Sequence, residues 1–460
     1  MITREQAHDI FHRAAKMSEA DEVEALIAGG SSALTRFANN TIHQNVADEN
    51  HVVSIRVAFG QRTARATTNK FDDESLRRTV QTAEQMARVQ HPDPDLLPLA
   101  EPSLAPTGTP PQRAFDSTRA PGPAERAKLV GKIVDVAKRN QLTTAGICSV
   151  SDSVEGIFNS RGLAAFHQQT MAEVSITMLG DDSSGWQKLN SPDVRNLDPV
   201  MLAETAARKA RDSAHPREID PGKYAVILEP SAVLDIVGFM FYDFGGLSVL
   251  DQRSFLNDRV GKQLFGENIT IHDDVRHPLQ AGAAFDGEGV ARQRVTLVEK
   301  GVIKSLVFAR GTAERMEKSG FADKVGQICP TGHGYPLPNE MGEAPVNIVF
   351  ENFATERQTL KKMIESTERG VYVTRLWYIR EVEPYEKVLT GMTRDGTFLI
   401  EDGKISHGLR NFRFNQSLVE MLSKVEAMSA PVRACGEESF DMVVPAMKVR
   451  DFNFTEVTKF

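Results

Sequence analysis

The sequence predicts an α+β protein. Its N-terminal half reads as a duplicated helix–antiparallel strands–helix unit, and its C-terminal half as a strand-rich α+β domain with hairpins. Three observations carry this. Phe37 and Phe158 lie 121 residues apart, as do Ser54-Ile55 and Ser175-Ile176, with helical segments flanking each at nearly the same offset. Self-similarity at a fixed spacing is the mark of an internal repeat. Nine of the 22 prolines fall between Pro92 and Pro123, which reads as a connector because proline suits neither a helix interior nor a central strand. Beyond Gly222, "LVEKGVI" and "LIEDGKI" share the form strand, acidic residue, one residue, glycine, strand, a hairpin signal.

Taken in order, "TREQAHDIFHRAAKM" places Ala7, Ile10, Phe11 and Ala14 at helical spacing, with Thr3 and Gln6 as a capping box. "EVEALIAGG", "ALTRFANNTIHQNV" and "HVVSIRVAFGQRTARATT" alternate apolar and polar residues and read as antiparallel strands joined at Gly and Asn turns. "DDESLRRTVQTAEQMARVQ" is a helix capped by an aspartate. The connector leads to the second copy. "GPAERAKLVGKIVDVAKRN" is helical, "GICSVSDSVEGIFNSRGLAAFHQQTMAEVSITML" forms strands, and "LDPVMLAETAARKARDS" is a helix with Asp198 as N-cap and Pro199 in its first turn. We therefore expect an N-terminal α/β domain over 1–220, with the connector at 92–123, and a C-terminal β-rich domain over 221–460. There "KYAVILEP" is a buried strand entering a helix at Ser231, which Gly245-Gly246 should end. "ERQTLKKMIEST" is a further helix.

Composition narrows the function. With 54 Lys+Arg against 62 Asp+Glu the net charge is −8, which disfavours a nucleic-acid surface built on phosphate contacts. Cys148, Cys329 and Cys435 are odd in number and widely spaced, so neither a disulfide framework nor a CxxC zinc site is expected, and a reducing compartment fits. "MITREQAHDIFHRAAK" is not a signal peptide, and no apolar run approaches the ~18 residues of a membrane span. A cytoplasmic protein is expected.

Single polar residues are weighed against ordinary roles. His272 and His277 in "HDDVRH" lie at a spacing that shares neither a helix face nor a strand face; "ITIHDDVRHPL" reads as a strand running into a loop, and a solvated polar turn rather than a site is the expectation. His167 and His333 carry no motif, so hydrogen bonding is the default for each. "FYDFGGL" reads as a helix end. Cys435 reads first as a small buried residue. In "LTGMTRDG", Gly391 and Gly396 permit tight backbone while Thr390, Thr393 and Arg394 offer donors. Taken alone, that stretch reads as a polar segment with donors to offer or as a turn that seats the next hairpin.

The stretches "EGIFNSRG", "GVYVTRLWYIR", "LTGMTRDGTFLIEDGKI", "LRNFRFNQSL" and "VVPAMKVRDFNF", in this order along the chain, resemble the TldD/PmbA family. Its members are also called modulators of DNA gyrase and are similar to subunits of a cytosolic metallopeptidase. The resemblance implies two kinds of subunit. A TldD-type chain carries H-E-x-x-x-H on a helix, completed by a distant Cys before Gly. Two imidazoles and a thiolate then hold zinc while the Glu activates its water. A TldE-type chain (also called PmbA) lacks the motif and pairs with the first.

On this match the first His position is Leu234, the Glu position Asp235, the second His position Phe239 and the Cys position Cys435. Leu and Phe offer no lone pair. The resemblance therefore implies a non-catalytic TldE-like subunit with no metal or cofactor of its own, zinc being held by a TldD-type partner. Thr390, Gly391, Thr393 and Arg394 would lie near an interior cavity that takes an unfolded or extended peptide. A homodimer is expected for the isolated chain, and neither nucleic acid nor membrane as partner. Two alternatives stand beside it: a self-sufficient hydrolase using Cys435 or a site rebuilt around Asp235 and His272, and a regulator acting on DNA gyrase through protein contacts.

Overall fold

The computed structural model describes residues 1–320, 325–352 and 358–458. α1 (Arg4–Lys16) opens with the expected capping box: the Gln6 N–H donates to Thr3 Oγ1 and the Thr3 N–H to Gln6 Oε1. There follow β1 (Glu22–Ala38), β2 (Thr41–Phe59), β3 (Arg62–Thr68) and α2 (Asp73–Val89), the last capped by Asp72. After the connector come α3 (Asp116–Arg119), α4 (Pro123–Arg139), β4 (Thr143–Asn159), β5 (Ala164–Leu179), β6 (Ser184–Ser191) and α5 (Pro199–Asp212), with Asp198 as N-cap.

β1 and β4 begin and end 121 residues apart, as the repeat requires. They pair antiparallel along nearly their whole length, so the two units form one antiparallel sheet, β3-β2-β1-β4-β5-β6. α1 and α2 cover the first unit and α4 and α5 the second. The matched phenylalanines exchange places. Phe37 of the first unit is buried beneath α4 and α5, and Phe158 of the second beneath α1 and α2.

Gly29-Gly30 is not a turn. β1 runs through it, and the glycines are needed because neighbouring backbone leaves no room for a side chain. A Cβ would lie 2.2 Å from Asn50 O at Gly29 and 2.0 Å from Asp152 O at Gly30. The β1–β2 turn is made instead by Asn39 and Asn40, with φ of 49° and 59°, a left-handed geometry that asparagine tolerates. The connector is part of the packed structure: Leu99 and Ala100 are buried, and Ala100 packs with Ile157, Leu163 and Phe285.

In the C-terminal half the order is β7 (Gly222–Leu228), α6 (Pro230–Val237), β8 (Thr270–Asp273), β9 (Val295–Glu299), β10 (Val302–Ile303), β11 (Ile348–Glu351), β12 (Arg369–Val373), β13 (Leu376–Glu383), β14 (Val388–Thr393), β15 (Thr397–Glu401), β16 (Lys404–Gly408), β17 (Phe412–Ser417), β18 (Val425–Met428), β19 (Val432–Ala434), β20 (Met442–Val444) and β21 (Met447–Val457). One sheet runs β10-β9-β8-β11-β20-β19. The other runs β13-β14-β17-β21-β7-β12-β15-β16, with β18 on β21. A large apolar core containing Leu228, Leu234, Phe241, Ile271, Phe350 and Phe412 draws on α6 and both sheets.

Both expected hairpins form. β9–β10 turns at Lys300-Gly301 and β15–β16 at Asp402-Gly403, all four residues having positive φ, the twist-matched turn of a tight hairpin. The helix from "ERQTLKKMIEST" is Leu360–Glu365; its residues 356 and 357 lie outside the described residues. α6 ends at Val237 rather than at Gly245. The chain continues as a 3₁₀ helix, Gly238–Phe244, which Gly245 caps, and Gly246 opens the next helix. Gly246 is required because a Cβ there would meet Phe308 at 2.4 Å. Among the described residues no helix is long and apolar enough to cross a membrane.

Candidate functional site

β7 delivers the chain to α6 at Pro230, the first helical position, where proline's missing N–H costs nothing. Leu234 and Asp235 are fully buried on α6, and Phe239, in the following 3₁₀ turn, packs half-buried against the core. Facing them is the segment after β19, Cys435 to Ser439. Cys435 is fully buried, and the absent side chain of Gly436 makes the approach possible. A Cβ at Gly436 would lie 2.1 Å from Asp235 Oδ1 and 2.4 Å from Leu234 Cδ2. The structure therefore brings Leu234, Asp235 and the Cys435 loop together across some two hundred residues of sequence.

Asp235 holds this loop. Its Oδ1 accepts the N–H groups of Glu437 (3.2 Å) and Glu438 (3.1 Å), while Oδ2 is buried with no hydrogen-bond partner among the described residues. Burial pushes the carboxyl up to about 7, against the pull of those two N–H groups and of the Arg375 charge. The Cys435 thiol is pushed up by burial, and by the Asp441 carboxylate in the same direction, so it stays protonated and unreactive.

Glu438 in turn accepts from the N–H groups of Tyr378 (2.9 Å) and Ile379 (3.2 Å) at the irregular start of β13. The N-terminal sheet grips the same loop from β6. Lys188 Nζ donates to Gly436 O (3.3 Å) and sits 3.4 Å from Glu437 Oε1. Asn190 Nδ2 donates to Asp441 Oδ2 (2.7 Å) and Asn190 Oδ1 accepts from Arg433 Nε (2.7 Å). Replacing Gly436 with alanine is expected to push the loop off α6. The cost should be about 1–3 kcal/mol, read as a lower melting temperature with faster amide exchange at Glu437 and Glu438.

Beside Asp235 lies a cluster that sequence reasoning missed. Arg375 is buried between the chain's two tryptophans, its guanidinium 4.4 Å from the Trp186 ring centroid and 5.0 Å from that of Trp377. It is ion-paired to Asp395 at 2.7 Å. Arg394, exposed, covers Trp377 at 4.8 Å. Arg375 and Trp377 sit in the quoted "GVYVTRLWYIR", but Trp186 is on β6, and nothing local announces that these side chains meet.

The other expected residues are placed as follows. Gly391 is buried on β14, where a Cβ would meet Phe414 Cζ at 2.7 Å. Thr393 is buried too, its Oγ1 accepting from Phe412 N (2.9 Å) and Thr397 Oγ1 (2.8 Å). Thr390 is half-buried and Arg394 exposed. "HDDVRH" runs from strand into turn as expected, with Arg276 exposed, but its first two residues are buried rather than solvated. β8 is buried throughout, and His272 Nε2 lies 3.2 Å from Glu351 Oε2. Asp273 Oδ1 lies 3.0 Å from His333 Nε2, both side chains fully buried, and Asp273 Oδ2 accepts the Val346 and Asn347 N–H groups. Burial would raise the Asp273 carboxyl, but His333 and these donors hold it below its ordinary value. β8 is interior because β9 and β11 pair on its two sides, and the partner of Asp273, His333, lies far along the chain, which local sequence cannot show. His167 Nε2 pairs with Gln169 Oε1 at 3.3 Å.

The donor set decides what this arrangement can hold. At the positions that the family resemblance assigns to two imidazoles there are hydrocarbon side chains, and one oxygen of Asp235, Oδ1, accepts two backbone N–H groups. A catalytic zinc takes three protein ligands, and the residues at α6 do not fit one. Among the described residues no group of three or more His, Cys, Asp and Glu side chains is arranged to hold a metal ion.

Comparison with known proteins agrees in sequence and in fold. Residues 221–456 match the PmbA/TldA metallopeptidase C-terminal domain, 23–87 its domain 1 and 116–214 its central domain. Metalloprotease PmbA of Escherichia coli O157:H7 is 22% identical over 97% of this chain and 96% of its own. An uncharacterized protein of Methanocaldococcus jannaschii is 28% identical over a shorter region, 39% of this chain and 43% of its own. The crystal structure of TldE from Thermococcus kodakarensis shares the fold, with a TM-score of 0.84 at 20% identity over 98% of this chain and 99% of that one. On these matches, which span all three domains in order, the chain belongs to the TldD/PmbA family.

Proposed function

We propose that this chain is the metal-free, TldE-like subunit of a cytoplasmic two-chain peptidase, in which a TldD-type partner holds the zinc and the two together act on unfolded or extended peptides. One observation carries the reading: leucine and phenylalanine occupy the histidine positions of the motif while the helix and the cysteine loop are still held together. In place of a metal, the Asp235 carboxylate joins the two segments through the Glu437 and Glu438 N–H groups. A scaffold kept without its ligands suits a subunit that completes a chamber. Extended peptides suit it because strand pairing draws affinity from the main chain and tolerates many sequences. Thr390 and Arg394 are the members of the "LTGMTRDG" stretch with surface to offer such a peptide.

The test is metal content and turnover. The purified chain is expected to bind zinc far below one per chain and to cleave no unfolded protein alone. Addition of a TldD-type chain should give a stable complex with chelator-sensitive peptidase activity. Stoichiometric zinc with chelator-sensitive cleavage by this chain alone would overturn the reading. A cysteine hydrolase built on Cys435 is disfavoured by the thiol's burial and raised pKa; Cys435→Ala is expected to leave the activity of the complex unchanged.

A further inference from the structure

The outer edge of β2 is open over an unusual length. From Thr41 to Val52 the strand pairs with β1 on one side only, because β3 begins its pairing at Val53. Residues 41 to 50 are all exposed, Ile42 and Val46 among them. An edge of this kind is a template for another strand, and monomeric proteins blunt it with proline, lysine, bulges or a covering segment. Here there is no proline or lysine; the charges on the edge are Asp48 and Glu49, which need a partner if it is to pair, and the one irregularity is a bulge at His43, near the turn.

The molecule shows what the matching edge looks like when it is covered. The residue 121 positions after Glu49 is Thr170 on β5, beyond the stretch that β6 pairs. Its N–H donates to Arg113 O at 2.9 Å and its Oγ1 accepts from Phe115 N at 3.0 Å. The connector has closed the second unit's edge, and among the described residues no segment does the same for the first.

We propose that this edge of β2 pairs with the same strand of a second copy of the chain, antiparallel about a two-fold axis at Val46. Two strands related by an axis normal to their sheet must be centred on a residue, since directly opposed side chains share a face. Of the registers centred from Asn45 to Glu49, only the one at Val46 places both carboxylates against donors. Asp48 then faces Gln44, and Glu49 faces the bulged His43. The register centred on Ala47 sets Asp48 against Val46, and those on Asp48 and Glu49 oppose like charges, which destabilises a pair. Within its own chain Glu49 has only long contacts, 3.8 Å to the N-terminal ammonium and 3.9 Å to His51 Nδ1, so its charge is free to join a new pair. Val46 meets its own copy at the axis and removes two exposed apolar side chains from water. The result is one continuous sheet through both molecules.

Sedimentation velocity on the full chain at tens of micromolar tests this. The wild type is expected to be a dimer. Val46→Asp, at an exposed position that leaves the fold intact by circular dichroism, puts two carboxylates at the axis and should raise the dissociation constant at least about ten-fold. In a Cys329→Ser background, Val46→Cys should cross-link to itself under mild oxidation, since the thiols of Cys148 and Cys435 are buried. A monomeric wild type, a dimer indifferent to Val46→Asp, or an edge that pairs only with a TldD-type chain or a peptide would each overturn the proposal. None of these results would touch the metal-free reading, which stands on zinc content.

Discussion

Replacing Lys209 with methionine is expected to lower the free energy of unfolding by about 3–5 kcal/mol, the cost of removing one member of a buried ion pair. Lys209 is buried on α5, and its Nζ donates to Glu229 Oε2 (2.7 Å), Gln187 Oε1 (2.7 Å) and Trp186 O (3.3 Å). Glu229 is the N-cap of α6 and also accepts from the Tyr372 hydroxyl, which burial and this carboxylate push well above its ordinary value. The lysine therefore ties the second unit of the repeat to the start of α6, the helix that carries Leu234 and Asp235. Methionine preserves the stem's packing and removes the charge, leaving Glu229 half-enclosed with a phenol as its partner. Urea unfolding at neutral pH measures the loss. Adding Glu229→Gln should recover part of it, because no carboxylate is then stranded. A loss under about 1 kcal/mol would show the pair to be screened like a surface ion pair.

Asp235→Asn is expected to stabilise the protein at pH 8 and to be nearly neutral at pH 4. The sign follows from the raised carboxyl, 3.8 ordinarily and about 7 in the fold. Between those values the folded state holds a proton that the unfolded state has released, so stability falls as pH rises across this window and levels off above it. The full penalty is roughly 4 kcal/mol, an upper bound because the loop can relax. Asparagine keeps an oxygen for the Glu437 and Glu438 N–H groups and has no charge to desolvate. Parallel denaturation curves for both forms from pH 4 to 8 give the difference directly, with other titrating groups cancelling. A difference that stays flat would mean that Asp235 is ionised in the fold. The same experiment bears on the loop: if the carboxylate has taken over from a metal as the tether, Asp235→Ala should loosen residues 435–439 at every pH, whereas Asp235→Asn should not.

What was legible in the sequence depended on spacing within a few residues or on a strict offset. The EKG and EDG turns, the Thr3–Gln6 box and the Asp198 cap each satisfy local backbone groups, so their residues stand beside the groups they serve. The repeat was legible because its two copies keep the same apolar positions. That Leu234 and Phe239 offer a metal no lone pair was legible because this holds in any fold. Misread features had partners far along the chain. Gly29-Gly30 resembles a turn, but its purpose is the close approach of Asn50 and Asp152. "HDDVRH" reads as a strand running into a polar turn, but the burial of its first two side chains depends on His333 and Glu351. α6 passes into a 3₁₀ helix at Gly238, well before the glycine pair, and Gly238 is glycine because a Cβ there would overlap Ser439.

By itself, then, the amino-acid order determined the type of the periodic and capped elements, the duplication, and the hydrocarbon side chains of Leu234 and Phe239, since these follow from side-chain chemistry and from periodicity along one segment. Only the tertiary structure decided that Asp235 clasps the Cys435 loop, that Arg375 is set between Trp186 and Trp377, and that one repeat's edge is closed while the other's is open. Those are contacts between residues tens to hundreds of positions apart, and their geometry exists only once the sheets have packed.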